Sequence, residues 1–69
     1  MKELALGYLR QKAFSDRDKA LMSLKLLTEN TVEIKNHTTE NFYKNLDEAL
    51  ELLVDAEDRI EVLGKYYGK

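Results

Sequence analysis

The second half of the chain carries a continuous apolar pattern whose members are separated alternately by four and three residues. This apolar seam has Leu46, Leu53, Ile60 and Tyr67 at the a positions of a heptad repeat, and Phe42, Ala49, Ala56 and Leu63 at the d positions. Such spacing keeps the apolar side chains on one face of a helix, whereas a strand needs alternation by two. The pattern therefore predicts one long helix over about residues 39–67.

The seam is wider than a two-stranded coiled coil requires. Leu50 and Leu52 fall at the flanking e and g positions, so the apolar face extends to both sides. Ala49 and Ala56 alternate with larger residues, which favours close approach of two helices. The sequence thus predicts a helix that contacts two neighbours in a bundle, with the seam and Leu50 as the candidate interface residues.

The first half of the chain has a less regular apolar repeat. Its members recur every seven residues, at Leu6, Ala13, Ala20, Leu27 and Ile34. One interpretation is a single helix over about residues 2–35. The segment that starts at Ser15 resembles a capping box, which favours a break and two helices over about 2–14 and 16–35. The single helix remains the alternative.

Two short segments complete the sequence-based fold. Residues 31–35 alternate like a strand, but the chain offers no partner strand, so the helical interpretation is favoured. Residues 36–38 are polar and predict a loop. The expected fold is all-α: a two- or three-helix antiparallel hairpin, one domain over 1–69, completed as a helical bundle by self-association.

Composition explains why self-association is expected. The chain has 69 residues and no cysteine, so disulfides and thiolate metal sites are excluded. A core of this size contributes only about 3–5 kcal/mol by itself. Residues 1–35 hold seven basic and five acidic side chains, whereas residues 36–69 hold four and eight. Halves of opposite charge favour packing of one against the other, and a homodimer is the first expectation.

The chain offers little that points to catalysis. Its single histidine, His37, lies in the predicted loop without the spacing of a metal or nucleophile motif, so we expect no enzyme, metal or cofactor. The acidic residues of the second half fall mostly on the outer helical positions and are typical of a solvated face. Basic residues in the first half support an alternative: a small regulator that binds DNA or RNA through that half.

The predicted function is a non-enzymatic module for protein–protein interaction or self-assembly, of the kind found among small phage or mobile-element accessory proteins. The outline resembles the plasmid RNA-binding helical-hairpin dimers in architecture alone, and this resemblance implies no function or site. No apolar run approaches the length of a membrane span and Met1 leads into no apolar signal segment, so a cytoplasmic protein is expected.

Overall fold

The computed structural model describes residues 1–29 and 39–68. They form two helices, α1 (Lys2–Glu29) and α2 (Thr39–Tyr67), which pack side by side as an antiparallel hairpin. The rod measures 49 × 16 × 15 Å. The prediction of an all-α antiparallel hairpin is confirmed, and its completion by a second chain stays a prediction.

Helix α1 runs through Ser15 without interruption, so the predicted break between residues 14 and 16 is wrong and the single-helix alternative agrees with the structure over residues 2–29. The physical reason is that the two ends of the proposed capping box, Ser15 and Asp18, do not cap a helix start. The carboxylate of Asp18 accepts hydrogen bonds from its neighbour Arg17, and Asp16 accepts them from Lys12 and Arg59. The predictions for residues 31–35 and for the loop at 36–38 lie outside the described residues.

Helix α2 has the bounds that the heptad pattern predicts. Glu40 lies in its first turn and Lys65 in its last, where each charge is favourable for the helix dipole. At the carboxyl end, the backbone N–H of Gly68 donates a hydrogen bond to the carbonyl oxygen of Gly64, at 3.0 Å. The ends are therefore set by local interactions that the sequence carries.

Alanines form the centre of the hairpin. Among the described residues, the buried hydrophobic side chains are Ala13 and Ala20 of α1 and Ala49 and Ala56 of α2, and no large side chain is fully buried. Small residues along the line of contact let two helix backbones approach closely. Larger side chains are consequently displaced to the two flanks of this line, where the second helix covers them only in part.

Candidate interaction surface

The hairpin divides the apolar seam between two environments. The d residues Ala49 and Ala56 are buried against α1, while Leu50 and Tyr67 remain 52% and 49% exposed. The other predicted interface residues are half-buried; they are Phe42, Leu46, Leu53, Ile60 and Leu63. The seam thus packs most closely against α1 at Ala49 and Ala56, and its larger a and d residues are covered only in part.

One flank of the hairpin is predominantly apolar. Phe14 of α1 and Ile60 of α2 meet there at a groove of about 200 Å³. Residues seven apart lie on the same side of a helix in a heptad arrangement. Heptad steps therefore place nine large apolar residues on this flank, which we call the apolar side: Phe14, Leu21, Leu24, Tyr43, Leu46, Leu50, Leu53, Ile60 and Tyr67. All nine are half-buried or exposed in the hairpin.

The opposite flank holds an ion-pair network, and we call it the ion-pair side. Asp16 is only 5% exposed. Its carboxylate accepts a hydrogen bond of 2.9 Å from Nη2 of Arg59 and two of 3.2 Å from Nζ of Lys12. The same Arg59 nitrogen lies 3.1 Å from Oδ2 of Asp55. Asp16 therefore joins α1 to α2 through charged groups.

These donors shift the titration of the buried carboxyl. The hydrogen bond from Arg59 lowers the pKa of Asp16 most, that from Lys12 adds to the effect, and burial opposes both. Asp16 in turn raises the pKa of Arg59. The Nε atom of Arg59 is buried without a hydrogen-bond partner among the described residues. Both charged groups are thus held in their ionised forms, and the network fixes the relative position of the two helices.

Two grooves flank this network on the ion-pair side. One, of about 270 Å³, is lined by Leu9, Val62 and Leu63 together with the edge of Arg59. The other, of about 410 Å³, lies between Leu26 and Leu52. Each of these grooves has charged side chains in its lining, Asp58 and Arg59 in the first and Glu48 in the second, and the groove on the apolar side likewise has Arg10.

Most basic residues of α1 already have partners within the hairpin. Arg10 donates a hydrogen bond of 3.2 Å to the carbonyl oxygen of Tyr67, and Lys2 lies 5.8 Å from the centre of the Tyr67 ring. Lys12 binds Asp16, and Arg17 binds Asp18 while lying 4.9 Å from the Phe14 ring centre. These side chains tie the helix surface together, which leaves fewer cations for an external anion.

Sequence reasoning missed the roles of Asp16 and Arg59. The signal was present, because Asp16 lies three residues after Ala13 and four before Ala20, at a heptad position that faces the partner helix. A charged residue at such a position requires a charged partner when it is buried. The Asp55–Arg59 pair is an i, i+4 pair that the sequence also suggests, but it does not reveal the contact with α1.

The two helices present no arrangement typical of a metal site or a membrane span. Within residues 1–29 and 39–68, no group of three or more histidine, cysteine or acidic residues is arranged to hold a metal ion. Neither α1 nor α2 contains an apolar stretch that would cross a bilayer. His37 lies outside the described residues. Comparison with models of known protein families, with curated proteins and with solved structures finds no match for this chain.

Proposed function

We propose that this protein is a non-enzymatic helical interaction module that associates with itself through the apolar side. The observation that carries the proposal is the alanine centre. In the described part of the chain, only alanines are buried hydrophobic residues, and the large apolar side chains on the flanks retain substantial contact with water. A large apolar surface of this kind is typical of a site for protein association.

The total accessible surface supports the same proposal. The chain exposes 5705 Å² at a mass of 8.0 kDa. A compact folded monomer of that mass exposes about 4,450 Å². The excess is larger than the roughly 800 Å² that each partner buries in a stable interface of standard size. A rod of two helices exposes more surface than a compact globule of equal mass, and association through one flank would reduce this excess.

The apolar side suits this role better than the ion-pair side. Association through the ion-pair side would remove water from Lys12 and Arg59, which are partly exposed, and charges are costly to desolvate. Association through the apolar side would cover mainly leucines and aromatic rings, with Arg17 and Glu57 as charged groups of opposite sign among them. A four-helix bundle with coiled-coil-like packing is the assembly we propose. The lack of cysteines suits a reducing compartment, and we place the protein in the cytoplasm.

The alternative, binding of DNA or RNA through the first half, has weaker support. Four of the six basic side chains of α1 contact other groups of the hairpin, and the chain as a whole has a net charge of −2. Binding of a labelled duplex or RNA hairpin at low salt, lost as salt increases, would revive this alternative.

Sedimentation equilibrium over a range from nanomolar to high micromolar concentrations tests the proposal directly. We expect a reversible dimer or larger oligomer at micromolar concentration. Far-UV circular dichroism on the same samples reports the helix content of each species. A fully helical, stable monomer throughout this range would contradict the proposal.

A further inference from the structure

The structure defines which residues of α1 and α2 lie at the same height along the rod. Phe14 and Ile60 line one groove together, and Asp16 contacts Arg59 nearby. Because the helices are antiparallel, moving forward along α1 corresponds to moving backward along α2. On the apolar side, three residues forward from Phe14 and three residues back from Ile60 place Arg17 level with Glu57.

The same steps order the rest of the apolar side into layers. Leu21 lies level with Leu53, and Leu24 lies level with Leu50. The layers of Leu21 and Leu24 therefore combine apolar with apolar residues, whereas the layer of Arg17 and Glu57 combines opposite charges. Arg10 and Gly64, which line the groove of Phe14 and Ile60, form the next layer in the other direction, where Arg10 binds the carbonyl oxygen of Tyr67. Glu57 makes no ion pair or hydrogen bond within the described part of the chain, and the pair formed by Arg17 is with its exposed neighbour Asp18.

Two hairpins can pack their apolar sides together in two symmetric ways. With the two-fold axis parallel to the rod, α1 of each copy packs on α2 of the other, and equal heights meet. The ends that carry residues 29 and 39 then lie together. With the axis across the rod, α1 packs on α1 and α2 on α2, and these ends lie apart. Both arrangements are closed and isologous.

Charge distinguishes the two arrangements. Helix α1 carries six basic and four acidic side chains, whereas α2 carries three basic and eight acidic. Packing α1 on α2 of the second copy joins helices of opposite net charge and brings Arg17 against Glu57. Packing like helices together joins two acidic helices and, with equal layers matched, places Arg17 against Arg17. Other registers would place Arg17 against an apolar layer, where its charge is unpaired.

We infer that a second copy of this chain docks on the apolar side with its two-fold axis parallel to the rod, so that Arg17 of each copy meets Glu57 of the other. We call this the same-end dimer. The inference rests on the proposed self-association and adds its topology and its charged contact. The apolar layers provide most of the buried surface, and the charged layer selects the orientation.

Distances between spin labels test the topology. The chain has no native cysteine, so Glu29→Cys and Leu4→Cys, both at exposed positions near opposite ends of α1, each carry one label per copy. The same-end dimer predicts label separations under about 30 Å for both variants, set by the width of a four-helix bundle. The opposite arrangement predicts about 40 Å or more, from a rise of 1.5 Å per residue.

Ser15→Cys is the matched control, because Ser15 is exposed near the middle of α1 and gives a short distance in either arrangement. Short distances for all three variants would support the inference. Long distances for Glu29→Cys and Leu4→Cys with a short one for Ser15→Cys would overturn the topology and leave self-association intact. A shift in register within the opposite arrangement would shorten one of the two end distances and lengthen the other, and this result would also overturn the topology. Absence of dipolar coupling in every variant would overturn the proposed function as well.

Charge exchange provides an independent measurement. Arg17→Glu and Glu57→Arg should each weaken the dimer about tenfold, because two like-charged contacts replace two opposite ones. The double variant should recover wild-type affinity. Lys19→Glu, which makes the same charge change on the ion-pair side of α1, is the control and should have no such effect. Equal affinities for wild type, both single variants and the double variant would contradict the contact between Arg17 and Glu57.

Discussion

Truncation of Leu50 tests whether the apolar side is the surface that associates. Leu50 is 52% exposed in the hairpin, and Val54, one turn further along α2, is 51% exposed. The two positions differ in direction, because Leu50 belongs to the apolar side whereas Val54 points away from α1. Leu50→Ala and Val54→Ala therefore remove comparable apolar surface from two different faces of the same helix.

The expected effect follows from the exposed fraction. Complete burial of a leucine contributes about 1.5–3 kcal/mol, so covering the exposed half contributes about 1 kcal/mol per copy. A symmetric dimer contains this contact twice, so Leu50→Ala should cost about 2 kcal/mol of dimerisation free energy. That corresponds to a dissociation constant about 30 times higher. Val54→Ala should leave the dissociation constant within about a factor of two, since its surface stays in water.

Sedimentation equilibrium provides the dissociation constants of the two variants. Circular dichroism at each concentration distinguishes dissociation from unfolding. Equal effects of the two substitutions would show that neither face is specific. A larger effect of Val54→Ala would move the interface to the outer face of α2. Either result would refute the assignment of the apolar side.

Three further predictions concern the hairpin itself. Ala20→Leu should destabilise it by about 1–3 kcal/mol in thermal unfolding, because Ala20 is completely buried where the helices meet, whereas Ala5→Leu at an exposed position of the same helix should change stability little. The pKa of Asp16 is lower in the folded state than in the unfolded chain. The stabilisation by its carboxylate is therefore complete above the ordinary pKa of 3.8 and is lost as the pH falls through the folded value. Asp16→Asn should remove the decrease in unfolding free energy that this carboxylate causes at low pH, as measured by urea titrations between pH 2 and 6. Gly7→Ala should raise stability by up to about 1 kcal/mol, because an added Cβ meets nothing within 4 Å and alanine favours the helix. A lower melting temperature would instead indicate that position 7 is closely packed by a second chain.

The sequence predicted α2 well because its information is local. The heptad spacing, Glu40 in the first turn and the glycines at the end lie within the helix that they define. The prediction of close helix packing from Ala49 and Ala56 likewise agrees with their burial. Each of these properties depends on spacing along one segment, which is what a periodic pattern reports.

The prediction for α1 was wrong at Ser15 because the deciding interaction is not local. A serine followed by acidic residues is compatible both with the start of a helix and with its interior. Asp16 lies in the helix interior, where it binds Lys12 of the same helix and Arg59, 43 residues away. No pattern within α1 reveals the contact with Arg59, since it depends on the register between two helices. A charged residue at a partner-facing position of one helix therefore indicates an ion pair with the other helix, but not which residue forms it.

The alanine centre also explains why the interface cannot be read from the seam alone. A heptad seam predicts that its a and d residues share one contact, as in a simple coiled coil. In this hairpin the partner helix approaches so closely over Ala49 and Ala56 that Leu53 and Ile60 are displaced to its flank. Ala49 and Ala56 then hold the two helices together, and the larger residues of the seam keep part of their surface in water. Replacing the alanines by larger residues would increase the separation of the helices, draw the leucines inward and weaken the surface on which the proposed dimer depends. Small residues at the centre and large residues at the flank are thus two parts of one arrangement.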